Sequence, residues 1–320
     1  VVRLFRDIFD AVAPQVAIIT ETNVPHEENI SYFGNGWDEA QLVYQFPLPP
    51  LTLHAIATGD ATELSRWAAG LKRPSPATTF FNFTASHDGI GVRPLEGILP
   101  RAEIDRLVER VQRHGGAVSY KANQDGTQSP YELNINYFDA LSDPQGGEPL
   151  ERQVSRFLAS QAILLALAGV PGIYIHSLLG SRNWHDGVQQ TGRLRSINRE
   201  PLVVGEVERA LADPVSLRAQ VFAGYRHLIE TRAAEPAFHP SGAQQVLDLH
   251  PALFALLRIS PDGRARVAAL HNVSGESVHV ALGTIEGAGR WRDLLTGEDF
   301  HADAEIALAP YQVRWLKRSG

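Results

Sequence analysis

Thr79-Phe80-Phe81-Asn82-Phe83-Thr84-Ala85-Ser86-His87-Asp88-Gly89 is the stretch of this 320-residue chain that decides its fold. Its first five residues form a short apolar run of the kind a strand buried on both faces requires. The run ends abruptly in small and polar residues that carry an ionisable pair, His87-Asp88. Two other stretches repeat the pattern. Val16-Ala17-Ile18-Ile19-Thr20 runs into Glu21, and Gly172-Ile173-Tyr174-Ile175-His176-Ser177 follows the turn signal Gly169-Val170-Pro171-Gly172.

Helical spacing lies between these strands. Apolar periodicity predicts helices over 3–12, about 49–58, about 60–70, Pro100 to Gln112, Val154 to Ala168 and 215–235. Asp60-Ala61-Thr62-Glu63 supplies an N-cap and an early carboxylate to the third of them. Residues 22–40, rich in Asn, Gly and Pro, are expected to be a long loop, and 113–150 a lengthy excursion. Strands alternating with helices indicate an α/β fold with a parallel sheet, and strand-end loops are where a (β/α)₈ barrel keeps its chemistry. Only three or four such strands fit before Gly242, so residues 1–242 are expected to be the C-terminal half of a barrel. Beyond that point short alternating runs (Val246/Leu249, Phe254/Leu256, Val267/Ala269, Val278/Val280, Trp291/Leu294, Val313/Trp315) are separated by turn signals. They predict a small antiparallel β domain over 243–320.

Composition narrows the function. A net charge of −7 without a basic block argues against nucleic acid or an anionic membrane as partner. No apolar stretch reaches the roughly 18 residues of a membrane span. The chain has no cysteine, which removes disulfides, thiolate metal sites and cysteine nucleophiles. His26, His54, His176 and His185 have no metal-ligand spacing, so no metal is expected. Gly89-Ile90-Gly91 lacks the third glycine of a dinucleotide site, and Asn35-Gly36 suits a tight turn. With Val at position 1 and no methionine, the chain is expected to be part of a longer one. Carboxylates at a barrel mouth suit glycosyl transfer, in which one protonates the leaving oxygen and others stabilise an oxocarbenium-like transition state. Polar residues where strands exit to solvent fit the same pattern.

Longer motifs distinguish these readings. Ile19-Thr20-Glu21-Thr22-Asn23-Val24-Pro25-His26, Glu28-Asn29-Ile30-Ser31-Tyr32-Phe33-Gly34, Phe81 to Gly91, Gly169 to Tyr174, Tyr131-Glu132-Leu133-Asn134 and Ser196-Ile197-Asn198-Arg199 stand in order along the chain. Together they resemble the sucrose-phosphorylase branch of the α-amylase superfamily. The resemblance implies a retaining α-glucosyl phosphorylase: a cytoplasmic enzyme with a (β/α)₈ barrel and a C-terminal β domain, using inorganic phosphate as co-substrate and no cofactor. It implies that Glu21 is the general acid/base and Asp88 the transition-state stabiliser, with His87 and Arg199 on the glucosyl unit. Tyr131 and Glu132 fall in the loop that meets the leaving group. Arg193 and Arg195, in another loop, are candidates for holding phosphate or an anionic acceptor.

The nucleophilic Asp of the superfamily follows the fourth strand, upstream of the general acid. Asp7 and Asp10 lie in a helix, and neither suits the role. The chain alone is therefore expected to be inactive and to need the missing N-terminal half of its barrel. Glu after Tyr131, where sucrose phosphorylases tend to have Gln, favours a glucosylglycerate phosphorylase. Sucrose 6′-phosphate phosphorylase and sucrose phosphorylase are the alternatives, and a non-catalytic sugar-binding remnant is the rival from another class.

Overall fold

The computed structural model describes residues 1–286 and 289–319. Up to Gly242 the strands are β1 (Ile19–Thr20), β2 (Leu42–Tyr44), β3 (Thr79–Asn82), β4 (Ile90–Gly91), β5 (Ala117–Ala122), β6 (Gln128–Asn134) and β7 (Val170–Pro171). Strands β1, β2, β3 and β7 lie side by side in that order as one parallel sheet. Thr20 is opposite Val43, Val43 opposite Phe80, and Phe81 opposite Val170. Parallel neighbours need long crossovers. Helices Leu48–Thr58 and Thr62–Gly70 connect β2 to β3, and helices Arg101–Arg113 and Leu150–Ala166 lie between β3 and β7. The stretch between those last two helices is more ordered than an excursion. It supplies β5 and β6, which form an antiparallel sheet with β4 in the order β4-β6-β5, and the short helix Tyr137–Leu141.

Two strand assignments differ from the sequence reading. β2 emerges just after the Gly- and Pro-rich segment, and its three residues are too few for a periodicity. The third expected strand, Gly172 to Ser177, is displaced. Pairing covers only Val170–Pro171, the Gly172 amide closes it on the Asn82 carbonyl (2.7 Å), and Ile175–Leu178 is a short helix. The alternation of Ile173, Tyr174 and Ile175 suggested a strand, but Ile173 and Ile175 are exposed and only His176 and Ser177 are buried. Gly169 explains the turn. It has φ +139°, and a Cβ there would lie 2.7 Å from the Phe80 carbonyl oxygen and 2.7 Å from Asn82 Nδ2.

The remaining strands are β8 (Ala243–Leu247), β9 (Leu253–Ile259), β10 (Arg266–Asn272), β11 (Val278–Ala281), β12 (Arg290–Asp293), β13 (Asp299–His301), β14 (Glu305–Leu308) and β15 (Val313–Ser319). Six of them form an antiparallel sheet in the order β13-β12-β15-β10-β9-β8, while β11 pairs with β14. The central strands are buried on both faces. Phe254, Leu256, Val267, Ala269 and Trp315 join the core of the first part, on which helix Leu150–Ala166 also packs. Their sequence neighbours Ala255, Leu257, Ala268, Leu270 and Leu316 join a second core with β11 and β14. Side chains alternate across a strand, so each of these strands feeds two cores at once.

Candidate active site at the strand ends

Glu21 is the residue after β1, and it is exposed. Tyr44 ends the neighbouring strand β2. Its ring stacks on Phe81 (centroids 4.6 Å apart) and Phe46 (5.8 Å) and tilts against Phe83 (5.2 Å). Burial raises the Tyr44 phenol pKa, and the Glu21 carboxylate raises it further. Glu21 and Tyr44 are therefore within electrostatic reach of each other. Tyr44, Phe81, Phe83, Ser86, His87 and Tyr174 line an open hollow of about 170 Å³ at the C-terminal ends of the strands.

Asp88 follows β3 and is held from several directions. Its amide donates to Ser86 Oγ (3.1 Å), and its carbonyl accepts from Asn198 Nδ2 (3.0 Å). Arg199 Nη2 donates to Asp88 Oδ1 (2.8 Å), while Arg199 Nε donates to the His87 carbonyl (2.8 Å). Arg195 Nη1 lies 3.0 Å from the same Oδ1. Arg195 also grips Glu132 with two parallel bonds, Nε to Oε1 (2.9 Å) and Nη2 to Oε2 (2.5 Å). Such a fork-to-fork pair is both strong and directional. Hydrogen bonding to Glu132, aided by the charges of Glu132 and Asp88, raises the Arg195 pKa against the opposing effect of burial. Tyr174 donates to the Asn198 carbonyl (2.6 Å); burial, above all, pushes its phenol up.

Gly89 lets the insertion reach this cluster. A Cβ there would lie 2.5 Å from the Leu133 carbonyl oxygen and 2.7 Å from Glu132 Cγ, so β6 packs directly on the chain beside Asp88.

Asp88, Arg195, Arg199 and Glu132 thus meet in one charged cluster, with Tyr131 near enough for its phenol to act on Arg195. His87 is beside it, its Nε2 3.7 Å from Asp88 Oδ1, and its side chain is largely exposed. Glu21 follows β1, two strands across the sheet from β3. Arg193 is exposed and stays outside the cluster; its amide donates to Thr191 Oγ1 (3.2 Å). Glu132 is buried against Arg195 rather than open to a ligand. Sequence reasoning missed Tyr44, because a three-residue strand leaves its last residue unmarked. Among the described residues no group of three or more His, Asp or Glu could hold a metal ion, and no helix is long and apolar enough to cross a membrane.

A parallel sheet with polar side chains at its C-terminal ends, followed by an antiparallel β sheet, has the architecture of the C-terminal portion of a (β/α)₈ barrel with its β domain. Solved structures share this fold. A sucrose 6F-phosphate phosphorylase from Thermoanaerobacter thermosaccharolyticum matches with a TM-score of 0.69 at 20% identity, covering 96% of this chain and 54% of that one. An α-amylase from H. orenii matches at 0.61 and 14% identity, covering 99% and 56%. No family model matches the chain.

Among curated proteins the chain is 48% identical to glucosylglycerate phosphorylase of Allomeiothermus silvanus, over 99% of this chain and 54% of the relative. It is 45% identical to glucosylglycerate phosphorylase of Escherichia coli, over 99% and 55%. A sucrose phosphorylase of Agrobacterium vitis is 35% identical over 62% of this chain. The resemblance to the sucrose-phosphorylase branch of the α-amylase superfamily therefore extends over nearly the whole chain. The chain spans about half the length of the curated relatives it matches.

Proposed function

We propose that this chain carries the general acid/base and the acceptor-side residues of a retaining phosphorylase that converts glucosylglycerate and phosphate to α-glucose 1-phosphate and glycerate. One observation carries the choice of substrate. Three glucosylglycerate phosphorylases are 45–48% identical over 99% of this chain, whereas the sucrose, sucrose 6(F)-phosphate and glucosylglycerol phosphorylases reach 26–35% over 59–71%.

In this reading Glu21 protonates the glycosidic oxygen as glycerate leaves, while a carboxylate nucleophile takes the glucosyl carbon. The resemblance puts that nucleophile on the strand before β1. Phosphate then attacks the same carbon, Glu21 accepts its proton, and two inversions restore the α configuration. Asp88 binds the sugar hydroxyls through Oδ2, because both arginines take Oδ1. His87 and Arg199 flank the glucosyl unit, Tyr131 and Arg193 face the leaving group or phosphate, and Arg195, forked onto Glu132, holds Asp88 in place. The reaction needs phosphate as co-substrate and no cofactor. We assign the barrel portion to 1–242 and the β domain to 243–320, and place the enzyme in the cytoplasm.

The test supplies the intact protein with α-glucose 1-phosphate and compares acceptors. Glycerate should be glucosylated fastest, ahead of fructose, fructose 6-phosphate and glycerol. Faster transfer to fructose or fructose 6-phosphate would overturn the substrate, and no transfer to any acceptor would favour a sugar-binding remnant.

A further inference from the structure

Three guanidinium groups gather at the opposite, N-terminal end of the parallel sheet, and none makes an ion pair among the described residues. Arg258 is fully buried and donates to the carbonyls of Ala243 (3.2 Å), Ala166 (2.5 Å) and His239 (2.9 Å). Arg232 donates to Leu165 (2.9 Å) and Gly169 (3.0 Å), and Arg73 Nη2 to Ser241 (3.0 Å). Burial, together with the charges of Arg232 and Arg73, pushes Arg258 down to about 9.

The carbonyls of Leu165 and Ala166 end helix Leu150–Ala166, and cations are stabilised at such a terminus. That accounts for Arg232 and Arg258 and leaves Arg73 unexplained. Its Nη1 is buried without a hydrogen-bond partner among the described residues, which is costly for a charged donor. Arg73 is partly exposed and lines a cavity of about 520 Å³ with Ala68, Phe80, Ala168, Gln244 and Gln245. No carboxylate lines this cavity, and two carboxamides do. An unpaired guanidinium nitrogen, excess positive charge and the lack of any acidic residue in the lining all select for an anion.

We propose that this cavity binds a small dianionic oxyanion of the phosphate type, with Arg73 as its charge partner. The site lies at the far end of the strands from Glu21 and Asp88, so its ligand acts on stability or regulation rather than on the reacting atoms. It clamps helix Thr62–Gly70 against β8.

Calorimetric titration of the intact protein with inorganic phosphate, in sugar-free buffer, tests this. The wild type should show a binding step and a rise in unfolding midpoint that sodium chloride of equal ionic strength does not reproduce. Arg73→Gln should weaken that step at least tenfold, the scale of one lost charge-assisted bond. Gln244→Glu keeps the acceptor for the Ala168 amide and places a carboxylate on the Arg73 side of edge strand β8, and it should abolish the step even if Arg73→Gln fails to fold. Phosphate held only at the strand-end site would ignore both substitutions. Identical titrations in the wild type and either folded variant would overturn the proposal, as would no phosphate binding by the wild type.

Discussion

Glu132 and Arg195 decide how freely the charged cluster can move. The Glu132 carboxylate is buried, and removing Arg195 would leave that charge without its partner. Arg195 cannot swing toward a ligand without leaving Glu132 unpaired, so in this conformation it positions Asp88 instead. Both residues were legible as candidates in the sequence. Their pairing was not, because they lie 63 residues apart and meet only where β6 packs on Gly89. Glu21 is simpler. No described side chain hydrogen-bonds to it, which suits a group that must meet a leaving oxygen. Glu21→Gln keeps its shape and removes proton transfer, so turnover of α-glucose 1-phosphate by the intact enzyme should drop about 10²–10⁴-fold. Steady-state assay of the variant checks this, and a rate near the parent's would refute the acid/base role.

Among the elements, the parallel strands are short and the junctions between them carry much of the specificity. Gly169→Ala would force a Cβ against the Phe80 carbonyl and Asn82 at a φ that side chains avoid. We expect it to lower unfolding stability by about 1–3 kcal/mol, measured by denaturant titration. The β sheet carries a pH-dependent element. His271 Nδ1 is 2.9 Å from the Phe254 carbonyl, and the Trp315 indole donates to Nε2 (3.4 Å). The ring is therefore neutral with its proton on Nδ1, and burial pushes it down to about 4. Unfolded, it titrates at its ordinary pKa of about 6.5 and binds the proton first. Stability contributed by the neutral ring is therefore complete above about pH 6.5 and declines as pH falls toward 4, by about 3 kcal/mol in all. His26, His114 and His176 are lowered by burial too and act in the same direction. His271→Gln should flatten the pH dependence of the unfolding midpoint across that window, and an unchanged slope would contradict the assignment.

For the whole molecule, surface chemistry sets association. β1 and β7 are the edges of the parallel sheet, and helix Val2–Val12 exposes Leu4, Phe5, Ile8 and Val12, with Ile19 exposed on β1. Contiguous apolar surface next to an open strand edge favours pairing with another chain. The 320-residue chain prepared alone should therefore self-associate in a concentration-dependent way. Sedimentation velocity is the measurement, and a stable monomer at high concentration would refute the expectation. The β sheet behaves differently. Its central strands are buried on both sides, so we expect it to unfold together with the helices of the barrel portion.

Apolar runs ending in ionisable residues were enough to reveal β1 and β3 of the parallel sheet, the helices between the strands and the change to antiparallel strands after Gly242. These are local properties: periodicity of 3.6 or 2, and turn residues at the breaks. The motifs around Glu21, Asp88 and Arg199 carried the family resemblance for the same reason, since each is contiguous. Tertiary structure alone decided that Leu42–Tyr44 is a strand, that Tyr44 stands beside Glu21, and that Val170–Pro171 rather than the following residues pairs with β3. It also decided that Arg195 joins Asp88 to Glu132, and that Arg73 stands near Arg232 and the buried Arg258 without a carboxylate. Each of these depends on contacts between residues far apart in the chain. Such contacts leave no periodic trace, because which side chain pairs with which is set by how the elements pack.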